Sequence, residues 1–389
     1  MTGIESILDN DFYKFTMQQC VLKLFPKAKA KYVFINRGRH KFKKGFDQEL
    51  QQAVARMKDV KLTAEEKQWL SENCPYLDPV YLDFLQGYSY DPSEVRISQT
   101  NEELSIQIEG YWYRTILWEV PILSLVSELY YQYNHLKPEE DSVIIKKTSQ
   151  KMDGFAGLKV KIAEFGTRRR FSFHIQDVVV QTMMNYNDTF VGTSNVYLAY
   201  RYNTKPIGTH AHEWFMFHAA KYGFKMANSM ALENWVNVYR GDLGIALSDT
   251  FTTDEFYEIF DKKFAKLFDG VRQDSGDPVE FAKKTIAHYK NLGIDPLSKT
   301  IIFSNSLDYE KVKRIAEYCN GKIGMSFGIG TNLTNDAGQE PMNIVIKMIE
   351  ALPENEPWTP VIKLSDDEGK HSGSEETIDM AKSVLRIKD

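Results

Sequence analysis

Two periods of apolar and polar positions alternate along the second half of the chain. Between about 265 and 330, short apolar runs are followed by stretches in which apolar residues recur every three or four positions. One such stretch places four apolar residues from Val312 to Cys319 on a single helical face, after Asp308 as an N-cap and before the stop signal at Gly321. Strands that alternate with helices in this way predict a parallel β-sheet.

The same pattern predicts individual elements. They are a helix over 254–268, a strand from Val271, a helix capped by Asp277 and begun by Pro278, a strand at Thr300–Ser304, a helix from Asp308 and a strand at Ile323–Phe327. Upstream, KVKIAEFG predicts a strand that ends at a basic turn, and the Gly-Thr-Ser-Asn turn at 192–195 indicates a further strand–helix unit.

The first 140 residues have a different pattern. The segments KYVFINR and VRISQTNEELSIQIEGYWYR alternate as antiparallel strands do, and KLTAEEKQWLSENCP between them is helix-like. We therefore predict an α+β domain over 1–140, an α/β domain over 141–350, and a polar tail over 351–389 that packs on the N-terminal domain.

Composition narrows the class of protein. With 389 residues and 43% hydrophobic side chains, the chain can form a globular enzyme, and no stretch approaches the roughly 18 apolar residues of a membrane span. The start of the chain lacks the features of a secretory signal, and Cys20, Cys74 and Cys319 form no CxxC pair, so we expect a cytoplasmic protein without a cysteine-based zinc site. A net charge of −5 gives no general attraction to polyanions, and nucleic acid is not an expected partner.

Three polar loops follow the three strands of the α/β region: RQDSGDP, SNSLD and GIGTN. The carboxyl ends of parallel strands share one edge of the sheet, so these loops predict a common ligand site. Asp274 suits ribose hydroxyls or magnesium, and Arg272 suits a diphosphate. Gly328 and Gly330 allow backbone N–H groups to approach a phosphate, although a ligand-free tight turn explains them as well. Neither GxGxxG nor a P-loop occurs.

A second basic cluster and a group of histidines are further candidates. Arg168, Arg169 and Arg170 follow the turn Gly166-Thr167 at a strand end, where they form either an anion site or a solvated charged face. In THAHEWFMFHAA, the zinc pattern HExxH fails because Met216 stands where its second histidine would be. A nucleophile or an acid–base group among these histidines remains possible, as do buried core histidines.

Taken in order, DFYKFTM, EFGTRRR, FVGTSN, GTHAHEW, VRQDSGDP, FSNSLD and SFGIGTN resemble the nicotinate phosphoribosyltransferase family of type II phosphoribosyltransferases. The resemblance extends from Asp11 to the KLSDD segment at Lys363. It implies an α/β fold, with an irregular α/β barrel and an α+β N-terminal domain, and a homodimer with shared active sites. It also implies the ATP-coupled condensation of nicotinate with 5-phosphoribosyl 1-pyrophosphate to nicotinate mononucleotide and pyrophosphate, in NAD salvage.

The resemblance also assigns roles. His212 is implied to be the residue that ATP phosphorylates, and Tyr13 of the partner subunit stacks with Phe165 on the pyridine ring. Arg168 and Arg272 hold anions, and Asp274 faces the ribose or Mg²⁺. The remaining implied substrate-binding residues are Thr167, Ser194, Ser304, Asn305, Gly328, Gly330 and Thr331.

Ser194 bears on which base is used. Nicotinamide enzymes carry Asp at this turn, whereas a neutral hydroxyl beside Arg168 tolerates a carboxylate, so nicotinate is preferred. His210 is a rival to His212 for the phosphate. The alternatives are a phosphoribosyltransferase for nicotinamide or quinolinate, and a nucleotide-binding sensor barrel. An aldolase-type barrel is less consistent, because the three loops carry no lysine for a Schiff base.

Overall fold

The protein folds into a mixture of α-helices and β-strands. The structure is a computed structural model that describes residues 3–387. Its helices are α1 Phe12–Leu24, α2 Phe46–Arg56, α3 Ala64–Asn73, α4 Pro79–Gly87, α5 Trp112–Thr115, α6 Glu119–Tyr133, α7 Asp141–Gly157, α8 Phe173–Met183, α9 Val196–Arg201, α10 His212–Tyr222, α11 Phe224–Tyr239, α12 Thr253–Ile259, α13 Lys262–Leu267, α14 Pro278–Asn291, α15 Tyr309–Cys319, α16 Thr331–Thr334 and α17 Glu375–Leu385.

The strands are β1 Lys29–Asn36, β2 Val95–Thr100, β3 Glu103–Tyr111, β4 Ile162–Glu164, β5 Phe190–Thr193, β6 Arg240–Leu243, β7 Ile245–Leu247, β8 Gly270–Gln273, β9 Thr300–Phe303, β10 Gly324–Ile329, β11 Ile344–Leu352 and β12 Thr359–Pro360. Among residues 3–387, no helix is both long and apolar enough to cross a bilayer.

Two compact units, each made of separate chain segments, contain these elements. Unit 1 comprises Met1–Gln19, Ala30–Gly208 and Ile329–Lys347. Unit 2 comprises Cys20–Lys29, Thr209–Gly328 and Met348–Asp389. The chain therefore passes between the units several times.

Unit 2 contains parallel strands in the order β7-β8-β9-β10. Val271 pairs with Ile301, and both side chains are fully buried. The predicted helix starts are confirmed: Asp277 accepts hydrogen bonds from two N–H groups at the start of α14, and Asp308 accepts one from Lys311 at the start of α15. The single helix predicted over 254–268 is wrong, because Asp261 caps a second helix at the point where α12 ends.

Unit 1 contains the antiparallel hairpin β2–β3, in which Thr100 pairs with Glu103, as the alternating pattern predicts. Its helix α3 begins at a capping box formed by Thr63 and Glu66. Strands β4 and β5 are parallel neighbours, and the basic turn follows β4 directly. Helix α6 was not predicted from the sequence. Its residues from Val120 to Leu129 are all buried, and a helix that is buried on every side has no separate apolar stripe along one face.

Candidate active site

Two of the predicted loops meet at the ends of neighbouring strands in unit 2. Asp274 follows β8, and Ser304 follows β9. The Ser304 hydroxyl lies 3.0 Å from Asp274 Oδ1, and the Ser304 N–H donates to the Gln273 carbonyl at 3.0 Å. In the third loop, Gly328 lies within β10, whereas Gly330 and Thr331 follow that strand and belong to unit 1.

His212 is the first residue of α10 and has partners on both ring nitrogens. Its Nδ1 lies 3.0 Å from the hydroxyl of Thr250. Its Nε2 lies 3.1 Å from Asp274 Oδ2 and 2.8 Å from the Lys363 ammonium. The imidazole is therefore fixed in orientation, with Nε2 between a carboxylate and a cation.

Burial and neighbouring charges together set the protonation states of His212 and Asp274. Burial, and next the positive charge of Lys363, hold the pKa of His212 below its usual value. Burial alone would raise the pKa of Asp274, but its contact with His212 and the charges of Lys363 and Arg272 hold it well below its usual range. The result is a neutral imidazole beside an ionised carboxylate, which is the charge state that a nitrogen nucleophile requires.

Asp249 completes the cluster from the end of β7. It is 1% exposed, accepts a hydrogen bond from Ser275 at 2.6 Å, and lies 3.3 Å from the Lys363 ammonium. Its Oδ1 has no hydrogen-bond partner among the described residues. His212, Asp249 and Asp274 each offer a ligand atom within 4.8 Å of the others, so this group can hold a metal ion.

Arg272 and two further residues line the same edge. Arg272 donates from Nη1 to the His210 carbonyl at 3.3 Å, while its Nε is buried without a partner among the described residues. Lys370 donates to the Asp274 carbonyl at 2.8 Å and to Asn305 Oδ1 at 2.6 Å. Arg272 therefore keeps donor capacity for an anion, and Lys370 holds the two loops together.

The other two histidines of the motif occupy core positions. His210 is fully buried, its Nε2 accepts from the Leu247 N–H at 3.1 Å, and its ring packs edge-on against Trp235 at 4.6 Å. His218 is also fully buried and lies 2.6 Å from the Trp214 carbonyl through Nδ1. The His212 side chain, in contrast, remains 19% exposed.

A second group of charged residues lies in unit 1. Arg168, 40% exposed, lies 3.4 Å from Glu119 and 3.9 Å from Asp11. The Lys14 ammonium lies 2.6 Å from Glu119. The Ser194 hydroxyl donates to Asp11 Oδ1 at 2.7 Å. Ser194 and Arg168 therefore both lie near the Asp11 carboxylate, a neighbour that no local sequence pattern indicates.

Unit 1 also contains the remaining predicted residues, which lie on the loop after β4, the loop after β10 and helix α1. Phe165 donates its N–H to the Ile329 carbonyl at 2.8 Å, and a Cβ on Gly330 would lie 3.1 Å from the Phe165 carbonyl. Thr331 begins the short helix α16 directly after Gly330. Tyr13 is 6% exposed, and its ring centroid lies 5.5 Å from the Lys14 ammonium.

The arginine triplet does not form one anion site. Arg170 is fully buried, with both terminal nitrogens on Asp9 at 2.7 and 2.8 Å and its Nε on Glu128 at 2.7 Å. Burial, and next the charges of Arg168 and Arg37, lower the pKa of Arg169 to about 10. Arg170 is therefore a structural residue, whereas Arg168 stays accessible.

Thr167 connects the basic turn to the buried polar network. Its hydroxyl accepts hydrogen bonds from Gln176 at 3.0 Å and Asn195 at 3.3 Å. Gln176 also donates to Glu164 at 3.2 Å. The turn that carries Arg168 is therefore held in place by hydrogen bonds from Gln176 and Asn195, and Gln176 is held in turn by the buried carboxyl group of Glu164.

Four residues of the unit 2 cluster were not predicted from the sequence, namely Asp249, Thr250, Lys363 and Lys370. Asp249 and Thr250 follow a strand in the segment IALSDT, so the rule that identified the other loops would have found them. Lys363 and Lys370 lie outside the strand–helix region, and no local pattern indicates where they fold.

Known proteins match the whole chain. The model of the nicotinate phosphoribosyltransferase (NAPRTase) family matches residues 160–389, and that of its N-terminal domain matches residues 8–127. A nicotinate phosphoribosyltransferase of Chromohalobacter salexigens is 59% identical over 99% of both chains, and one of Desulforapulum autotrophicum is 50% identical over 98% of this chain and 99% of its own. The crystal structure of the Porphyromonas gingivalis enzyme superposes with a TM-score of 0.96 at 44% identity, covering 99% of this chain and 100% of the other.

These matches confirm the predicted fold class, an irregular α/β barrel with an α+β N-terminal part. The order of motifs along the sequence, the parallel strands that carry the His212 cluster and the full-length similarity agree with one another. The chain belongs to the nicotinate phosphoribosyltransferase family.

Proposed function

We propose that this protein joins nicotinate to 5-phosphoribosyl 1-pyrophosphate, giving nicotinate mononucleotide and pyrophosphate, and that it couples this reaction to ATP through His212. The observation that carries the ATP coupling is the position of His212 Nε2, 3.1 Å from Asp274 and 2.8 Å from Lys363. Membership of the family supports the condensation itself and its place in NAD salvage.

In the phosphorylation step, the lone pair of His212 Nε2 attacks the γ-phosphorus of ATP. The bond from that phosphorus to the bridging oxygen breaks, and ADP leaves. Because Lys363 donates to Nε2, the ring proton lies on Nδ1 and is donated to Thr250. Lys363 then neutralises charge on the transferred phosphoryl group, while Asp274 stabilises the positive charge that develops on the ring.

In the condensation, the pyridine nitrogen bonds to C1 of the ribose as the bond to pyrophosphate breaks. This oxocarbenium-like reaction needs positioning and charge stabilisation more than proton transfer. Arg272 has a buried donor without a partner and is suited to the departing diphosphate. Arg168 binds the carboxylate of nicotinate, and Phe165 stacks with Tyr13 of the partner subunit on the ring.

Asp249 and Asp274 would hold magnesium. Two carboxylates with an unpartnered buried oxygen form a donor set that suits a hard divalent cation. When bound, the ion supplies charge neutralisation on the diphosphate. The active protein is a homodimer with shared sites, and its buried cysteines Cys20, Cys74 and Cys319 suit a cytoplasmic location.

A second candidate activity is the same transfer to nicotinamide. The observation that favours it is the Asp11 carboxylate beside Ser194, since a carboxylate can accept a hydrogen bond from an amide NH₂ group. A comparison of the two bases in one assay therefore belongs to the test of the proposed function.

The test measures mononucleotide and pyrophosphate from each base, with and without ATP. We expect the wild type to use nicotinate and to be stimulated by ATP. Replacement of His212 by Ala is expected to abolish the stimulation and to leave slow ATP-independent turnover. Equal stimulation of the wild type and His212→Ala would refute the ATP coupling, and absence of product from nicotinate would refute the proposed reaction.

A further inference from the structure

Asp11 is a buried carboxyl group in unit 1 that is only half satisfied by hydrogen bonds. Its side chain is 1% exposed, and Oδ1 accepts from the Ser194 hydroxyl at 2.7 Å. Its Oδ2 accepts no hydrogen bond from the described residues, and Arg168 Nε lies 3.9 Å away from it. Desolvation without matching donors is costly for a carboxylate, so burial raises the free energy of the ionised form of Asp11.

The charges around Asp11 are balanced before any ligand binds. The ammonium of Lys14 on α1 and the guanidinium of Arg168 face the carboxylates of Asp11 and of Glu119 on α6. A ligand carboxylate beside Arg168 therefore adds one negative charge to a balanced and largely buried group. Unless a proton enters with it, the ligand faces repulsion in a site where water screens poorly.

Asp11 is better suited than Glu119 to accept that proton. Lys14 and Arg168 overcome the effect of burial and hold the pKa of Glu119 below its usual value, so Glu119 stays ionised. Burial raises the pKa of Asp11, and Arg168, Ser194 and Thr167 only partly oppose that increase.

Other titratable groups near Asp11 are already engaged. Glu164 on β4 accepts from the Gly166 N–H and from Gln176, which leaves it little room for a ligand. Asp9 is occupied by Arg170.

We propose that Asp11 is a specificity-determining residue which binds nicotinate in its protonated form, taking one proton from solvent and donating it as a hydrogen bond to the base carboxylate beside Arg168. The inference rests on the proposed function and deepens it. Ser194 holds Oδ1, which leaves Oδ2 to carry the proton. The residue that discriminates the base then lies 183 positions before the turn that contains Ser194.

A pH dependence follows from this assignment. Above the pKa of Asp11 in the free protein, the acid form declines tenfold per pH unit, and nicotinate binding declines with it. Nicotinamide carries no charge, and its NH₂ group can donate to ionised Asp11, so its binding is not weakened in the same range. The preference for nicotinate over nicotinamide should therefore fall as pH rises.

The experiment compares kcat/KM for nicotinate with the reciprocal inhibition constant of nicotinamide between pH 5.5 and 9.5, at saturating ATP and phosphoribosyl pyrophosphate. The ratio of the two cancels pH effects on the other substrates. In the wild type we expect a limb that falls about tenfold per pH unit. Asp11→Asn keeps the shape and a permanent donor, so its ratio should change less than twofold per pH unit.

Two further variants complete the design. Asp83→Asn alters an exposed acid of unit 1, 71% exposed, and should reproduce the wild-type slope. Ser194→Ala removes a donor that lowers the pKa of Asp11, so the ratio in this variant should begin to fall at a higher pH than in the wild type. If Asp11→Asn does not fold, this shift tests the role of Asp11 instead. A flat wild-type ratio, or equal slopes in the wild type and Asp11→Asn, would overturn the role of Asp11 while nicotinate turnover persists. Absence of nicotinate turnover would instead overturn the proposed function.

Discussion

Unit 2 contains the His212 cluster, formed by His212, Asp249, Asp274 and Lys363, and unit 1 contains the Asp11 cluster, formed by Asp11, Lys14, Glu119 and Arg168. The pKa of one carboxyl group in each cluster is shifted, and the two shifts have opposite directions. In unit 2, His212 and Lys363 contact Asp274, and the pKa of this carboxyl group lies well below its usual range. In unit 1, Arg168 Nε lies 3.9 Å from Asp11, and burial raises the pKa of that carboxyl group. His212, Lys363 and Arg272 together outweigh the effect of burial on Asp274, whereas Arg168 and the neutral hydroxyl groups near Asp11 do not outweigh it there.

This difference matches two kinds of chemistry. A phosphoryl acceptor needs a neutral nitrogen and fixed charges around it, which the ionised Asp274 and Lys363 supply. A site for an anionic base needs either surplus positive charge or an acid that can be protonated. Asp11 provides the second solution in our account.

The largest expected effect is a loss of stability on replacement of Arg170. Comparison with Arg168 tests which arginine of the triplet is structural and which binds a ligand. Arg170→Met would leave Asp9 and Glu128 buried without their cation and should lower the free energy of unfolding by roughly 3–5 kcal/mol. Arg168→Met is the matched control and should have little effect on stability while raising KM for nicotinate. Urea unfolding and steady-state kinetics give both values. Similar stability losses in the two variants would contradict the division of the triplet.

Glu164 extends the comparison to a fully buried carboxyl group that accepts hydrogen bonds from the neutral side chains of Gln176 and Thr193. Burial, only partly opposed by hydrogen bonds, raises its pKa from 4.5 to about 7. Because the folded state then binds more protons than the unfolded chain between about pH 4.5 and 7, the free energy of unfolding should fall by about 3 kcal/mol across that interval. In Glu164→Gln this decline should be smaller by that amount, as measured by urea unfolding at pH 5 and pH 8. A decline of equal size in both proteins would show that Glu164 is not the titrating group.

Lys363 tests the unit 2 side of the comparison. Lys363→Gln removes a charge that lowers the pKa of His212, so the acid limb of ATP-stimulated turnover should move to higher pH. The rate at neutral pH should fall by about 10²-fold, typical of losing one group that faces a developing anion. Lys290→Gln, at an exposed position of α14, is the control. An acid limb that stays in place would contradict the role of Lys363.

The smallest effect is expected for Asp277, which lies three residues after Asp274 but caps α14 and pairs with Arg314 at 2.8 Å. Asp277→Ala should lower stability by about 1 kcal/mol and leave turnover within about twofold. Asp277→Ser, which can still accept at the helix start, should recover most of the stability. A loss of activity comparable to that of an Asp274 variant would place Asp277 in the site as well.

Local patterns sufficed for much of the fold and part of the site. Strand ends, caps and helical stripes identify α14, α15 and the loops at Asp274 and Ser304, because each depends on residues close in sequence. The break at Asp261 was missed, since apolar residues continue through it. The domain boundaries at 140 and 350 stay a prediction.

Long-range contacts explain what the sequence could not reveal. Lys363 reaches His212 from 151 positions away, and Asp11 reaches Ser194 from 183 positions away. The turn FVGTSN suggested a neutral site beside Arg168, but a one-dimensional pattern cannot show that a distant carboxyl group folds against it. The charges that decide the chemistry are thus the part of the site that the sequence described least.

The central claim is that His212, and not His210, carries the phosphate. The most direct measurement is to incubate the protein with ATP labelled at the γ-phosphate and to map acid-labile phosphate by mass spectrometry in the wild type, His212→Asn and His210→Gln. We predict label on His212 in the wild type and His210→Gln, and none in His212→Asn. Label on residue 210, or label that persists in His212→Asn, would contradict the account.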